Sequence, residues 1–367
     1  MDPATLEKLI VREIRKAREI SRRDLADQLG IAKSTAGRRV DSMIARGLLC
    51  EKGVETRKEV GRPRRFLDLE GNYGAFAGFD FDARNLYGVL VDFAQQTVEK
   101  SRIELSSSPN RDEIIGNIRG LLDQFKSNEA GLPLLGIGVG VPGHVERETR
   151  TALGYPYIEG WKNVELLDEL DLITDQLHIE NNTRAIALGE YWLGDRGPSD
   201  HMACLNVRTG ISAGIISDGR LLSGRHEMAG EIRGWNAVPK PKSDLAKDWL
   251  EEVATVRAFT DTGWGKFVTD CKSGNDEAAA RLERICVDHG DAVSRIVQLV
   301  DPEIIFLAGA FTELGEQYLE LVRRTVAKSL EGHYFSPPRI QFVTLGEYAG
   351  ALGASALAAS HYLPDPG

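Results

Sequence analysis

The sequence predicts an N-terminal winged helix-turn-helix domain followed by an α/β body with two lobes. In residues 21–47, apolar residues recur at helical spacing on both sides of a tight turn. Beyond Tyr73, short apolar strands are followed by amphipathic helices, and this order occurs twice. Residues 1–70 carry a net charge of +5 and the remainder carries −15. A basic head on an acidic body suits phosphate contacts at one end of the molecule.

The helix-turn-helix begins at Ser21, which we expect to cap a helix, with Asp24 closing a capping box. Gly30 is expected to end that helix in a left-handed conformation. A second helix from about Lys33 to Arg46 would bury one face and present short polar and basic side chains on the other, as DNA-reading helices do. An ordinary three-helix scaffold is the alternative interpretation. The candidate DNA contacts on this helix are Lys33, Ser34, Thr35, Gly37, Arg38 and Arg39.

A wing is predicted after the second helix, from two strands at 48–51 and 65–69 around a basic loop. Residues 61–65 read Gly-Arg-Pro-Arg-Arg, so the loop is densely positive. Such a loop can lay arginine side chains into a minor groove or along phosphates, and we expect Arg62, Arg64 and Arg65 to do so. A solvated linker is the alternative. A first helix is predicted at 5–20, and Ala32 stands where the recognition helix would prefer a capping serine.

The composition is that of a soluble globular protein, with 42% hydrophobic and 27% charged residues in a chain of 367. No apolar run approaches membrane-spanning length, and the N-terminus lacks an apolar signal core. The four cysteines lie far apart, which favours reduced thiols and gives no disulfide frame. We therefore expect a cytoplasmic protein without membrane association.

The body is predicted from short apolar runs and amphipathic stretches. Its strands are expected at 75–79, 87–91, 98–105, 134–141, 178–180, 202–207, 213–217 and 304–307. Its helices are expected at 112–125, from about 183, at 245–260, at 277–299 and from 349 to the C-terminal end.

Several motifs in the body resemble those of the ROK family (repressors, open reading frames and sugar kinases), specifically its winged-helix regulators. They are Gly-Val-Gly-Val-Pro-Gly at 138–143, IENNTRAIALGE at 179–190, Ala-Gly-Glu-Ile at 229–232, Asp-Pro-Glu-Ile-Ile at 301–305 and Gly-Ala-Leu-Gly-Ala at 350–354. The resemblance implies an actin-like ATPase (ribonuclease H-like) fold, with sugar and ATP in the cleft between its lobes. It divides the chain into a winged helix at 1–71, a first lobe at 72–183 with the helix 347–367, and a second lobe at 184–346.

The elements that a kinase of this family needs are altered. The resemblance places the catalytic aspartate of the kinases at Asn182, an amide that cannot act as a general base. The three phosphate loops map to 79–84, 208–214 and 307–310, where side chains replace the glycines that let backbone N–H groups approach phosphates. We therefore expect neither ATP binding nor sugar phosphorylation, and no cofactor.

The structural zinc site of many family members is also expected to be lost. Its cysteines map near Lys242, Asp244 and Trp249, and its histidine maps to Gly234. One carboxylate cannot build a tetrahedral zinc site, so no metal is expected.

The sugar site implied by the resemblance retains enough polar groups to bind an effector, and its aromatic residues could stack a sugar ring. Filling of the hydrophobic core is the alternative role for these aromatic residues. The candidate effector-binding residues are Gly143, His144, Tyr157, Trp161, Asn181, Asn182, Glu231 and Arg233.

The function predicted from the sequence is that of a DNA-binding transcriptional regulator, a repressor of carbohydrate genes that is not an enzyme. Its partners would be a double-stranded DNA operator, a sugar or sugar-derivative effector and further copies of itself in a homodimer or homotetramer. A sugar kinase with a DNA-binding head and a ligand-independent DNA-binding oligomer are the alternatives.

Overall fold

The structure is a computed structural model of the chain. It describes residues 2–17, 19–54, 65–173, 176–195, 197, 199–235, 250–259, 263–332 and 336–362.

The head consists of helices α1 (Pro3–Lys16), α2 (Arg22–Gln28) and α3 (Lys33–Ala45) and strands β1 (Ile20–Ser21), β2 (Leu49–Val54) and β3 (Arg65–Leu69). The antiparallel pair β2–β3 is the predicted wing, and β1 pairs with β3. The Ser21–Asp24 capping box is confirmed, and Gly30 has a φ of 63°. Ala32 caps α3 without a side-chain hydrogen bond, as expected. The first helix ends at Lys16 rather than at the predicted residue 20, where β1 begins.

The first lobe is built on a five-stranded sheet with the order β11-β7-β4-β5-β6. Phenylalanine, leucine and isoleucine side chains from this sheet and from α4 form its core. Its elements are β4 (Ala75–Phe81), β5 (Asn85–Asp92), β6 (Thr97–Glu104), α4 (Arg111–Lys126), β7 (Leu134–Val141), β8 (His144–Glu146), β9 (Thr151–Gly154), β10 (Val164–Glu165), α5 (Leu166–Leu170) and β11 (Leu177–Asn181).

The second lobe repeats this plan, with a five-stranded sheet in the order β14-β13-β12-β15-β16. Its elements are β12 (Met202–Val207), β13 (Ile211–Ser217), β14 (Arg220–Leu221), α7 (Leu250–Val253), α8 (Trp264–Lys272), α9 (Asp276–Val300), β15 (Ile304–Gly309), α10 (Glu316–Ser329) and β16 (Arg339–Phe342). Within the described part of the helix predicted at 245–260, α7 ends at Val253 and a 3-10 turn follows at Val256–Phe259. The Thr255 hydroxyl donates to the carbonyl of Glu251 and accepts from the N–H of Arg257, and this competition with the backbone interrupts the helix.

Two helices join the lobes at the centre of the molecule. α6 (Asn182–Trp192) packs on β12 and β13 of the second lobe, and α11 (Ala349–His361) packs on β4 and β7 of the first. The two helices cross through glycine, because a Cβ at Gly353 would lie 1.7 Å from the carbonyl oxygen of Ala185. Likewise, a Cβ at Gly138 would lie 1.8 Å from the carbonyl oxygen of Ala354, so α11 lies directly on the first sheet.

The head is attached through the end of α1. The Arg15 guanidinium donates to the carbonyl of Ala359 on α11 at 2.6 Å and lies over the rings of Phe76 and Phe93. The core of the head continues into the first lobe through these same phenylalanines. Among the described residues, no helix combines the length and the apolar character that crossing a membrane requires.

Candidate functional site: the DNA-binding head and the interlobe cleft

The recognition helix α3 exposes one polar face of the head. Ala36, Val40 and Met43 are buried against the head core, whereas Lys33, Ser34 and Arg38 are exposed. Thr35 and Gly37 on the same helix are half-buried. The exposed set places two cations and one hydroxyl group on one surface, which is the chemistry that reads base edges and phosphates.

Arg39 has a partner inside the head. Its guanidinium lies 3.0 Å from the Glu7 carboxylate of α1, and Arg46 lies 2.5 Å from the other oxygen of that carboxylate. Glu7 is completely buried, so its charge depends on these two arginines. The contact holds α3 against α1.

The wing places Arg65 at the start of β3, 2.8 Å from the Glu51 carboxylate on β2. The arginine is exposed and the glutamate is half-buried. Arg62 and Arg64 lie outside the described residues. Lys242, Asp244 and Trp249, near which the cysteines of the family's zinc site map, also lie outside the described residues. Within the described chain, histidine, cysteine and acidic side chains do not form a group of three or more that could hold a metal ion.

The cleft between the lobes contains a cavity of about 90 Å³. Seven of the eight predicted effector residues line it. The first lobe contributes Gly143, His144 and Tyr157, and the second contributes Glu231 and Arg233. Asn181 and Asn182 lie between them, where β11 passes into α6. Strand and helix ends thus bring together residues that are far apart in the chain.

The structure does not place Trp161 in this cavity. Its side chain is only 2% exposed and packs edge-on against Phe81, with ring centroids 4.9 Å apart. The indole belongs to the core of the first lobe, so the expected stacking of a sugar on Trp161 is wrong. Core filling, the alternative for the aromatic residues, applies to this one.

Asn181 serves the backbone as well as the cavity. Its Oδ1 accepts from the N–H groups of Thr183 and Arg184 at the start of α6, and its Nδ2 donates to the carbonyl of Gly143 at 2.9 Å. The side chain therefore caps the helix and ties it to the β7–β8 turn. Asn182 is the first residue of α6 and lines the cavity.

Two acidic groups of the cavity, Glu231 and Glu251, have pKa values that burial raises. At Glu231, the nearby His144, Arg184 and Arg233 oppose that shift. Buried carboxylates with a few cationic neighbours are suited to accepting hydrogen bonds from sugar hydroxyls.

A larger cavity of about 560 Å³ lies next to the first, and Asp82 and Arg208 line both. Arg208, from the loop after β12, donates to Asp80 on β4 at 3.0 Å and lies 3.9 Å from Asp82. Its guanidinium therefore joins the two lobes. Burial opposes the charge on Arg208, but the two carboxylates outweigh it and raise its pKa.

The β4–β5 turn is closed by its own side chain. Asp82 Oδ1 accepts from the N–H groups of Arg84 and Asn85 at 2.7 and 3.0 Å. In a glycine-rich phosphate loop, such N–H groups face the phosphate. Here the N–H groups of Arg84 and Asn85 already donate to the carboxylate of Asp82.

Further contacts between the lobes were missed by sequence reasoning. Arg257 donates to the hydroxyl of Tyr157 and lies over its ring, and Arg147 lies 2.7 Å from Glu227. The first pair is separated by 100 residues of sequence and the second by 80, and neither pairing was indicated by a motif. A single sequence contains no signal for such pairs.

The comparisons with known proteins agree with this architecture. The model described as ROK family matches residues 76–242 and 255–361, and the model described as winged helix-turn-helix DNA-binding matches residues 5–49. A protein of Caldicellulosiruptor bescii named xylose repressor is 24% identical, over 98% of this chain and 96% of its own. A glucokinase of Thermotoga maritima is 27% identical, over 60% of this chain and 78% of its own.

Among solved structures, a ROK family transcriptional regulator described as a homolog of the E. coli MLC protein superposes with a TM-score of 0.78. The match covers 98% of this chain and 97% of that one at 19% identity, a level that establishes the shared fold. The superposition spans the head and both lobes.

Proposed function

This chain belongs to the ROK family and is a DNA-binding transcriptional regulator, and from that premise we propose that it represses genes of carbohydrate metabolism in response to a monosaccharide. The single observation that carries the proposal is the cavity in the interlobe cleft of a chain with a DNA-binding head, lined by amides, carboxylates and Tyr157. The xylose repressor similar over nearly the whole chain supports the regulatory class. A cytoplasmic location follows from this role.

We further propose that the cleft does not phosphorylate its ligand. Asn182 lacks a basic carboxylate, Arg208 joins the lobes where a kinase would hold phosphate, and Asp82 occupies the N–H groups of the first loop. Incubation with ATP and a panel of monosaccharides should give no sugar phosphate by mass spectrometry, for the wild type and for Asn182→Asp alike. Sugar phosphate formed by either protein above the no-enzyme rate would contradict the proposal.

Two neighbouring residues at the end of α1 connect the head to both lobes, so a movement of one lobe relative to the other would shift the head. Arg15 contacts α11 and the first lobe, whereas the Lys16 ammonium lies 3.9 Å from Asp200 and 5.8 Å from the ring centroid of Tyr191 in the second. Tyr191 is near the end of α6, whose first residue lines the cavity. We propose that α6 links the effector to the head, and that closure changes the separation of the two heads in a homodimer or homotetramer. Paired recognition helices must lie roughly 34 Å apart to read DNA.

We propose that Arg38 of α3 is the main DNA contact. The other proposed contacts are the exposed Lys33 and Ser34, the half-buried Thr35 and Gly37, and Arg62 and Arg64 of the predicted wing loop. Arg39 and Arg65 are already paired with Glu7 and Glu51, so we expect them to matter less. After selection of an operator from random DNA, Arg38→Ala should weaken operator binding by about 1–3 kcal/mol and relax sequence preference. Fluorescence anisotropy against the operator and scrambled DNA measures both effects.

The matched control for Arg38 is Arg12→Ala, which removes an exposed arginine of α1 that pairs with Glu13. It should leave operator affinity unchanged, because α1 does not form the recognition surface. If Arg38→Ala binds the operator as tightly as the wild type, α3 is not the reading helix.

The effector site is tested by Glu231→Gln. The amide keeps the shape of the side chain and removes the charge that sugar hydroxyls would meet. In calorimetric titrations with D-xylose and D-glucose, the variant should bind at least about tenfold more weakly, while its operator affinity without sugar stays that of the wild type. An unchanged sugar response in Glu231→Gln would show that the ligand binds elsewhere.

A further inference from the structure

The smaller cavity is lined by more carboxylate groups than guanidinium groups. The Arg208 guanidinium stands between the carboxylates of Asp80 and Asp82, at 3.0 and 3.9 Å. On the side of the smaller cavity, Glu231 and Glu251 add two carboxylates, and Arg233 adds one cation. A dianionic group in the smaller cavity would meet three carboxylates, those of Asp82, Glu231 and Glu251, against two guanidinium groups. Juxtaposed like charges disfavour binding.

Two backbone donors of the first loop are also occupied. Asp82 Oδ1 accepts from the N–H groups of Arg84 and Asn85, so the first loop presents a carboxylate to the cleft. Asp82 thus acts as a built-in anion in this loop.

The buried polar atoms without a hydrogen-bond partner around Arg208 include both acceptors and a donor. Among the residues that the structure describes, Asp80 Oδ1 and Asn206 Oδ1 lack a donor, and Arg208 Nη1 lacks an acceptor. Asn206 and Arg208 line the smaller cavity, as does His144, whose buried Nδ1 is also without a partner. Of the two oxygens, only that of Asn206 belongs to a residue lining the cavity. A hydroxyl group both donates and accepts, whereas a phosphate dianion only accepts and would leave Asn206 Oδ1 unpaired.

We propose that the cavity selects an unphosphorylated monosaccharide and rejects its phosphate ester, with Asp82 and Arg208 as the residues that set this specificity. The inference rests on the proposed function, since it narrows the effector from sugars and their derivatives to neutral sugars. It assigns the altered phosphate loops a present role: their side chains exclude the phosphorylated forms that accumulate once a sugar has entered metabolism.

The test is a paired titration by calorimetry of D-glucose, D-mannose and N-acetyl-D-glucosamine against their 6-phosphates, with D-xylose as a further neutral probe. In at least one pair, the neutral sugar should bind at least about 30-fold more tightly than its ester. Asp82→Asn keeps an oxygen for the two N–H groups but removes the charge, and it should narrow that ratio by about five- to tenfold.

The matched control is Glu347→Gln, which removes one carboxylate from the larger cavity, where it pairs with Arg102. It should leave the ratio of the two affinities unchanged. Equal or tighter binding of a 6-phosphate, or a ratio insensitive to Asp82→Asn, would overturn this inference and leave the proposed sugar response intact. If none of the probes binds, both this inference and the proposed sugar response fail.

Discussion

At the scale of single residues, His289 is an imidazole whose burial disfavours its protonated form. It is fully buried in the second lobe, where Nε2 donates to the carbonyl of Ala254 at 2.6 Å and the Tyr318 hydroxyl donates to Nδ1 at 3.1 Å. Burial lowers its pKa from 6.5 to about 4, and the bond to Ala254 opposes that shift. The unfolded chain therefore binds the proton more readily.

Stability from His289 is accordingly present above pH 6.5 and is lost as the pH falls towards 4. Between about pH 8 and about pH 6, the free energy of unfolding of the wild type should fall by about 1 kcal/mol more than that of His289→Gln. Urea unfolding followed by tryptophan fluorescence measures the difference. The exposed His226→Gln is the control and should behave like the wild type. Parallel pH profiles for the wild type and His289→Gln would refute the prediction.

At the scale of secondary-structure elements, the crossing of α6 and α11 depends on glycine. A Cβ at Gly353 would lie 1.7 Å from the Ala185 carbonyl oxygen, and the two helices would have to separate. Gly353→Ala should therefore lower the free energy of unfolding by about 3 kcal/mol or more, because the helix-propensity gain of about 1 kcal/mol is smaller than the clash. Thermal and urea unfolding report this change.

Gly120→Ala is the matched control on α4, where an added Cβ meets nothing within 4 Å. That substitution should stabilise the protein by about 0.5–1 kcal/mol, since only helix propensity changes. A Gly353→Ala variant as stable as the wild type would mean that the helices do not cross this closely.

At the scale of the whole molecule, Lys16 and Arg147 lie at opposite ends of the proposed link between cleft and head. Arg147 of the first lobe holds Glu227 of the second at 2.7 Å, and Lys16 of the head approaches Asp200. If the lobes move the head, loosening the cleft by Arg147→Ala should change operator affinity, and Lys16→Met should reduce that effect. The double variant should depart from additivity by about threefold or more in operator affinity.

The control for this cycle replaces Lys16→Met with Arg12→Met, an exposed position of α1 that pairs with Glu13. The effects of Arg12→Met and Arg147→Ala on the free energy of operator binding should be additive. Additive behaviour of Lys16→Met with Arg147→Ala, measured by the same anisotropy assay, would exclude a link through Lys16.

The sequence alone determined what depends on neighbours along the chain. The capping box at Ser21, the left-handed Gly30 and the uncapped start of α3 at Ala32 could all be read from local patterns, because caps and helix periodicity act over three or four residues. Most strands of both sheets were predicted for the same reason, whereas α8 and α10 were not identified. The sequence also places an amide, Asn182, at the position where the family resemblance implies a catalytic aspartate in the kinases.

Only the tertiary structure decided which way the long side chains turn. Trp161 packs on Phe81 instead of facing the cavity, and Arg39 turns from the recognition surface to Glu7. Arg208 pairs with Asp80 across 128 residues of sequence and thereby joins the lobes. Nothing in a local pattern specifies these partners, because a buried charge is stabilised by whichever opposite charge the fold brings within hydrogen-bond distance.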